Sequence, residues 1–252
     1  MHAHGESSGG GAPAKDAPAG GHGHGHGGAS SRPRPGEKKG FVEEMRFVAM
    51  KLHTREQAPK EGEAKPPPES KPMMQWEPTR EKYLAYLVES KAMYEAMEEI
   101  VASKASPIYE AFLDTGLERT SPLAKDIEWF EKTYGLTAPV ADGPGVEYGN
   151  FLKELAKTSP PEFICHFYNV YFAHSAGGRM IGRKVSEMIL NGKELEFYKW
   201  EESRGGLEQS LADVKSKLND AAEGWSREEK DRCLEETSKS FQMSGQLLRL
   251  IA

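Results

Sequence analysis

The 252-residue sequence lacks several features that would define whole classes of protein. It has no run of about 20 apolar residues, the length that a helix needs to cross a bilayer, and we expect no membrane anchor. Its start does not have the pattern of a secretory signal peptide. Its two cysteines, Cys165 and Cys233, are too few for a disulfide framework and lack the spacing of a zinc site.

The common sequence signatures of catalysis and cofactor binding are also absent. There is no Walker loop, no GxSxG, no GxGxxG after a strand and no HExxH, nor any flavin or iron–sulfur motif. The net charge is −6, and no basic run is interleaved with aromatic residues, which argues against a nucleic-acid partner. No segment sustains the period-two alternation of a strand, so the sequence predicts an all-α protein.

The chain divides by composition into a tail and one domain. Residues 1–37 consist mostly of Gly, Ala, Pro, Ser and His, too little apolar material to offset the entropy of ordering, and we predict a disordered tail. Its GHGHGHGG segment could chelate metal ions opportunistically, and its composition suits the remnant of an organelle-targeting peptide. Residues 38–252 are long enough for a single domain with its own core.

Apolar residues recur at helical spacing through the domain and predict about eight helices. A charged, proline-rich loop over residues 58–78 follows the first helix, and the pair Ser226 and Glu229 predicts a capping box at the start of the last. The predicted helices begin near residues 39, 79, 107, 121, 146, 159, 207 and 226.

One flank of the first helix carries four side chains that could serve a ligand. Arg46, Met50, His53 and Gln57 are spaced four, three and four residues apart, which places them along one side of the helix. A histidine on an amphipathic helix usually has no special role, and this pattern alone does not make His53 a ligand.

The longest predicted helix spans residues 159–190, and we call it the glycine-pair helix. Ser159 and Glu162 predict a capping box at its start, with Pro160 at the first helical position. Gly177 and Gly178 lie in mid-helix, where each costs about 1 kcal/mol relative to alanine. Such a pair predicts a kink or a flat ligand lying against bare backbone.

One face of the glycine-pair helix has two interpretations. It could cover a flat apolar ligand through aromatic residues and one imidazole, or it could pack closely on another helix with the histidine in the core. On this stretch alone, close helix packing is the favoured interpretation. The face comprises Phe167, Tyr171, His174, Gly177, Gly178 and Ile181.

Two of these segments together resemble a known family. MKLHTREQAP (residues 50–59) and FYNVYFAHSAGGRMIG (residues 167–182) are similar to haem oxygenase, above all to the soluble plastid type of plants and algae. SPIYEAF (residues 106–112) and KDIEWFEKTYGL (residues 125–136) also resemble the family, and the likeness runs from about Gly40 to the last residue.

The resemblance implies a single all-α domain that holds haem b between the first helix, called proximal, and a glycine-kinked distal helix. His53 would be the proximal ligand to the haem iron, and Gln57 its polar partner one turn on. Gly177 and Gly178 would lie against the haem face, so that bound O2 can bend toward one meso carbon.

Further residues of the pocket follow from the same resemblance. Tyr168 would belong to its hydrogen-bond network and Phe241 to its back wall. Arg46, with either Lys215 or Lys217, would bind the haem propionates. Ala173 and His174 stand where animal members have Gly and Asp, which we interpret as a feature of the plant subtype, and His174 would hold an ordered water that supplies protons to bound oxygen.

The implied activity is oxidative cleavage of haem at the α-meso carbon to biliverdin IXα, with release of Fe²⁺ and CO. The enzyme would be a monomer of the plastid stroma that receives electrons from ferredoxin. Its product would pass to a bilin reductase for the chromophore of phytochrome. A basic cluster would dock ferredoxin, and it comprises Arg179, Arg183, Lys184, Lys193 and Lys199.

Two other functions remain open at this stage. The chain could be a haem carrier or sensor that does not degrade its ligand, or a helical scaffold with no affinity for haem. A non-catalytic plant branch of the family lacks the proximal histidine, and the presence of His53 argues against membership of that branch.

Overall fold

The computed structural model describes residues 34–57 and 73–252, without the side chains of residues 54–57 and Met74. This part of the chain is helical and has no strand, which confirms the predicted all-α class. None of its helices is long and apolar enough to cross a membrane. Its ten α-helices are α1 Phe41–Gln57, α2 Arg80–Ala102, α3 Pro107–Glu110, α4 Thr120–Tyr134, α5 Pro144–Thr158, α6 Pro160–Ala173, α7 Arg179–Ile189, α8 Gly206–Glu223, α9 Arg227–Glu235 and α10 Thr237–Leu248.

Helix α2 lies at the centre of the domain and packs against α4, α5 and α10. Its apolar side chains recur every three or four residues, and Tyr83, Leu87 and Met97 are completely buried. Aromatic rings fill the space between the helices, and several of them meet edge to face, as Tyr83 does with Phe130. These aromatic rings also pack against the buried side of α6.

Helix α1 is anchored by its first two turns. Phe41, Val42 and Met45 are buried against α8, α9 and α10, and Phe41 meets the ring of Trp225 edge to face. Further along the helix, Phe47 and Met50 are about half exposed, at 44% and 53%. The second half of α1 therefore presents apolar surface at the edge of the domain.

A buried carboxylate strengthens the anchor of α1. Glu44 is 4% exposed and accepts two hydrogen bonds from the guanidinium of Arg227. Arg227 also binds Asp231, which in turn pairs with Arg34. Residues 34–37, assigned by composition to the tail, thus contact the domain, while the prediction for residues 1–33 and most of the predicted loop over residues 58–78 lie outside the described residues.

The structure corrects two predictions about helix ends. The Ser159 side chain makes no capping hydrogen bond, because the backbone there is not in the extended form that a capping serine needs, so the first predicted capping box is wrong. The second, at Ser226 and Glu229, is confirmed. The last predicted helix is two helices, since α9 ends before Glu236 and α10 begins at Thr237.

Candidate functional site

The glycine-pair helix runs from α6 to α7 through a π-helical segment, His174–Gly178. The segment contains both glycines, and π-helical turns inside α-helices occur often at functional sites. A Cβ atom built on Gly177 would meet no described atom within 4 Å. Close helix–helix packing through this glycine, one of the two interpretations of the sequence, is therefore wrong, and the bare backbone of Gly177 faces open space.

Gly178 and Gly182 lie in different surroundings. A Cβ atom on Gly178 would come 3.2 Å from Nδ1 of His174 and 3.3 Å from the carbonyl oxygen of Ala173, both on its own helix. A Cβ atom on Gly182 would overlap the ring of Tyr198. Packing within the protein therefore requires glycine at position 182, whereas at position 177 it does not.

His174 points into the protein. Its side chain is buried, and Nε2 donates a hydrogen bond of 2.7 Å to the carbonyl oxygen of Phe197. Its ring stacks on the Phe197 ring with 3.9 Å between centroids. The prediction that His174 shares the exposed face of Gly177 is wrong, and the alternative of a histidine in the core is confirmed, because the imidazole lies buried among aromatic rings.

Burial sets the charge of His174. Loss of hydration, assisted by the positive charges of Arg119 and Arg179, lowers its pKa to about 3, although the hydrogen bond to Phe197 opposes the shift. The imidazole is therefore neutral at any pH at which the protein would work. A neutral imidazole that donates through Nε2 has a bare nitrogen at Nδ1, which can accept a hydrogen bond.

The burial of His174 predicts that the free energy of unfolding depends on pH. The unfolded chain protonates His174 below about pH 6.5 and the folded chain does not, so the histidine's contribution is present above that pH and is lost as the pH falls. We expect the free energy of unfolding to drop by about 2 kcal/mol between pH 6.5 and 5 from this residue. His174→Gln should remove that part of the slope in urea unfolding.

The test must compare the pH dependence of the free energy of unfolding between the wild type and His174→Gln. Burial raises the pKa of Asp126 to about 6 and that of Glu98 to about 7. The contribution of these carboxyl groups to the free energy of unfolding falls as the pH rises, which is the opposite sign to that of His174. Both groups are present in the wild type and in His174→Gln. If wild type and variant lost stability in parallel, His174 would have to be hydrated in solution.

The predicted proximal residues lie on the exposed half of α1. His53 is on its exposed side, and the side chain of Gln57 lies outside the described residues. Arg46 is half exposed, with a carboxylate oxygen of Glu43 at 3.7 Å. It lies close enough to Tyr168 of α6 to counter in part the burial that raises the tyrosine's pKa to about 12. This electrostatic effect indicates that the Arg46 side chain lies on the side of α1 that faces Tyr168.

The structure distinguishes between the two candidate lysines. Lys215 is exposed on α8, and its Nζ lies 5.8 Å from the ring centroid of Phe172, one turn beyond Tyr168. Lys217 is half buried, and its position on α8 points it about 200° away from Lys215 around the helix axis. Arg46 and Lys215 therefore approach the same stretch of α6 from two neighbouring helices.

Apolar groups are exposed on both helices, after Arg46 on α1 and after Tyr168 on the glycine-pair helix. Phe47 and Met50 are about half exposed on α1, and Met180 is 55% exposed on α7. We call this surface the open face, and its members are Phe47, Met50, His53, Ala173, Gly177 and Met180. It offers apolar contact, bare backbone and one imidazole, with cationic groups at its end. The remaining predicted residue, Phe241, is half buried on α10, which packs on both α1 and α6.

Sequence reasoning missed one buried cation, Arg119. It is 4% exposed, and its Nη1 donates to the carbonyl oxygens of Phe197 (3.1 Å) and Lys199 (2.7 Å). Its guanidinium carbon lies 4.8 Å from the ring centroid of Trp200. Three aromatic residues among four in FYKW were the available signal that this connection is buried and needs a partner.

Comparison with known proteins assigns this architecture to a family. The family model described as Heme oxygenase matches residues 68–250. The chain belongs to the haem oxygenase family and is an enzyme of that class. The matched range begins after α1, so the match itself does not include His53.

Within the family, the chain is of the plant plastid type. It is 58% identical over 218 residues to Heme oxygenase 1, chloroplastic, of Arabidopsis thaliana, an alignment that covers 86% of this chain and 76% of the relative. It is 40% identical over 232 residues to Probable inactive heme oxygenase 2, chloroplastic, of the same plant, with the same coverage. The chain is thus nearer in sequence to the first than to the relative named as inactive.

Solved structures support the fold independently of sequence. The crystal structure of heme oxygenase-1 from the cyanobacterium Synechocystis in complex with heme superposes with a TM-score of 0.61. The alignment covers 82% of this chain and 90% of the cyanobacterial chain, at 18% identity. At that identity the likeness is one of fold alone.

Proposed function

We propose that this enzyme opens haem b at the α-meso carbon to biliverdin IXα, with release of Fe²⁺ and CO and with O2 as oxidant. The observation that carries the proposal is the open face, where the glycine-pair helix exposes Met180 and the bare backbone of Gly177, and α1 exposes Phe47, Met50 and His53. A flat, apolar substrate with an iron centre and two carboxylates matches that surface. The relatives' names support the same chemistry.

Each part of the open face has one task in this proposal. Haem supplies the oxidation chemistry when it is bound. His53 would bind the iron, and Gln57 stands one turn further along α1 as the proposed polar partner. Arg46 and Lys215 pair with the two propionates and so fix the rotation of the ring within its plane. Gly177 leaves room for a small molecule beside the iron because it has no side chain.

His174 handles the proton. Its bare Nδ1 would accept a hydrogen bond from water on the distal side and so orient that water as a proton donor. Because its own pKa is about 3, His174 orients this water without becoming charged. A neutral acceptor behind the helix replaces the exposed imidazole expected from the sequence.

Adding haem and then a reductant tests the proposal directly. We expect haem to bind with the spectrum of a histidine complex, and ascorbate in air to convert its Soret band into the spectrum of biliverdin. A haem carrier or sensor would keep its Soret band under the same treatment, and a scaffold would not change the spectrum of added haem. Either outcome would refute the proposal.

Ferredoxin is the proposed electron donor. Arg183 and Lys184 are exposed on α7, immediately after the open face, and Lys193 and Lys199 are exposed on the connection that follows. Lys199 is paired with Glu196, whereas no ion pair of Arg183 or Lys184 is among those of the described residues. A cationic surface beside the haem edge suits a small acidic donor, since opposite charges speed and orient encounter.

Charge reversal at this surface should separate docking from chemistry. Arg183→Glu with Lys184→Glu should slow ferredoxin-driven turnover about tenfold or more at low salt, and the difference should shrink as salt screens the surface. The ascorbate-driven reaction should keep its wild-type rate. Equal losses with both reductants would point to damage in the pocket instead of lost docking.

The proposed setting follows from the relatives' names. The relatives at 58% identity are called chloroplastic, and we assign this enzyme to the plastid stroma. There its biliverdin would pass to a bilin reductase and on to the chromophore of phytochrome. Fractionation of isolated plastids should recover the protein with the stromal enzymes, and recovery with the thylakoid membranes would contradict the assignment.

A further inference from the structure

The connection between α7 and α8 fixes which nitrogen of His174 carries the proton. The Phe197 carbonyl oxygen lies 2.7 Å from Nε2 and accepts its hydrogen. The opposite tautomer would place a nitrogen lone pair against an oxygen lone pair at that distance. Nδ1 is therefore the bare nitrogen of the neutral ring.

Gly178 leaves the space beside this bare nitrogen open. A side chain at that position would begin 3.2 Å from Nδ1, tighter than ordinary van der Waals contact, and would cover the lone pair. With glycine, no side chain at position 178 lies against Nδ1. The two glycines therefore have different tasks, since Gly177 faces open space and Gly178 uncovers the imidazole.

Two buried side chains, Asp126 and Arg119, fix the backbone around the Phe197 carbonyl by hydrogen bonds. Asp126 accepts hydrogen bonds from the backbone N–H groups of Glu196 (2.8 Å) and Phe197 (2.7 Å). Arg119 donates to the carbonyl oxygens of Phe197 and Lys199. Arg119 and His174 together use both lone pairs of the Phe197 oxygen. The carbonyl cannot turn away from His174 unless one of these bonds breaks.

We propose that Arg119 and Asp126 are positioning residues for the reaction, which act through the Phe197 carbonyl to hold His174 in the Nε2–H tautomer and to present Nδ1, beside Gly178, to water on the distal side. The inference rests on the proposed function, because it assigns that water its acceptor. Neither Arg119 nor Asp126 touches the open face. By fixing the tautomer, they determine which ring nitrogen of His174 can accept a hydrogen bond.

The tautomer can be measured without haem. In ¹⁵N-histidine-labelled, haem-free protein, long-range ¹H–¹⁵N correlation should show His174 with a protonated Nε2 and a bare Nδ1, unchanged from about pH 7 to 9, where Asp126 is ionised. Arg119→Met and Asp126→Asn should each move the signals toward the other tautomer. His174→Leu assigns the signals by removing them. A protonated Nδ1 in the wild-type protein would overturn the inference.

The haem complex supplies a second readout. In the ferric complex we expect the pKa of the iron-bound water to shift by about one unit in Arg119→Met and Asp126→Asn, the size of one lost hydrogen bond. Gly178→Ala should shift the same pKa while the haem-free tautomer stays as in wild type, because the methyl group covers Nδ1 and leaves the Phe197 bond intact. An unchanged water pKa in all three variants would refute the role of Nδ1.

A matched arginine serves as the control. Arg204 is exposed and forms an ion pair of 2.7 Å with Asp114. None of its described hydrogen bonds goes to residues 196–199. Arg204→Met should leave both the tautomer and the water pKa at wild-type values. If Arg204→Met shifted them as much as Arg119→Met does, the cause would be the loss of any nearby positive charge and not the hydrogen bond to Phe197. If the wild-type complex formed no biliverdin, the proposed function would fail while the tautomer measurement stood.

Discussion

His53→Ala should fold like the wild-type protein and lose haem turnover. The side chain lies on the exposed side of α1, beyond the buried turns that anchor the helix, so its removal leaves the core intact. Loss of a metal ligand should cost at least ~100-fold, the upper end of what outer groups around a metal cost when they are removed. Circular dichroism and the ascorbate-driven formation of biliverdin measure the two parts.

Added imidazole provides the decisive control for His53. A small imidazole can enter the space left by the alanine and bind the iron, which should restore part of the turnover. Lys51→Ala, another exposed position on the same helix, should behave as wild type with or without imidazole. If His53→Ala formed biliverdin at the wild-type rate without imidazole, the iron ligand would have to be another residue.

Gly177→Leu should weaken haem binding and leave the haem-free protein as stable as the wild type, or up to about 1 kcal/mol more stable because leucine is the better helix former. No described atom lies within 4 Å of the position of the new Cβ, so the leucine causes no clash in the haem-free protein. The side chain would, however, fill the place of the ring. We expect haem affinity to fall tenfold or more, about 1.4 kcal/mol.

Gly182→Ala is the matched variant on the same helix. Its methyl group would overlap the ring of Tyr198, and overpacking of this kind costs about 1–3 kcal/mol. The loss should appear in thermal unfolding of the haem-free protein. If Gly177→Leu destabilised the haem-free protein as Gly182→Ala does, position 177 would be covered in solution and the open face would not be the substrate site.

The helices were predictable because their signals are local. Thr79 caps α2 through its side chain, Gly135 ends α4 in the left-handed conformation, and Asn191 and Gly192 end α7 with positive φ. Each signal acts within one turn of the residue that carries it. The break between α9 and α10 has no glycine or proline, and a search for such residues could not find it.

The orientation of His174 was not predictable from its helix. Spacing of three and four residues places His174, Gly177 and Gly178 on one face of an α-helix, but a π-helical turn has more residues and shifts that relation. Its partner, Phe197, is 23 residues away, in the connection between α7 and α8. The roles of Arg119 and Asp126 depend on the same distant contact, and neither residue has a local signal.

The choice between Lys215 and Lys217 shows the same limit on a smaller scale. Both lysines lie on a helix that the sequence predicted correctly, and the resemblance alone did not decide between them. The cation–π contact of Lys215 with Phe172 is the reason that we propose Lys215, and that contact depends on how α8 crosses α6. The crossing angle of α6 and α8 depends on how the whole helices pack, so the sequence of either helix alone does not predict it.

The π-helical segment also bears on how the chain tolerates changes in length. In an ordinary α-helix, one inserted residue turns every later side chain by about 100°, which would bring Lys184 inward in place of Val185. A wider turn absorbs an extra residue where it occurs, so the flanking helices keep their buried sides. Gain or loss of one residue between His174 and Gly178 would thus alter the width of the site while the core contacts of α6 and α7 stayed in register.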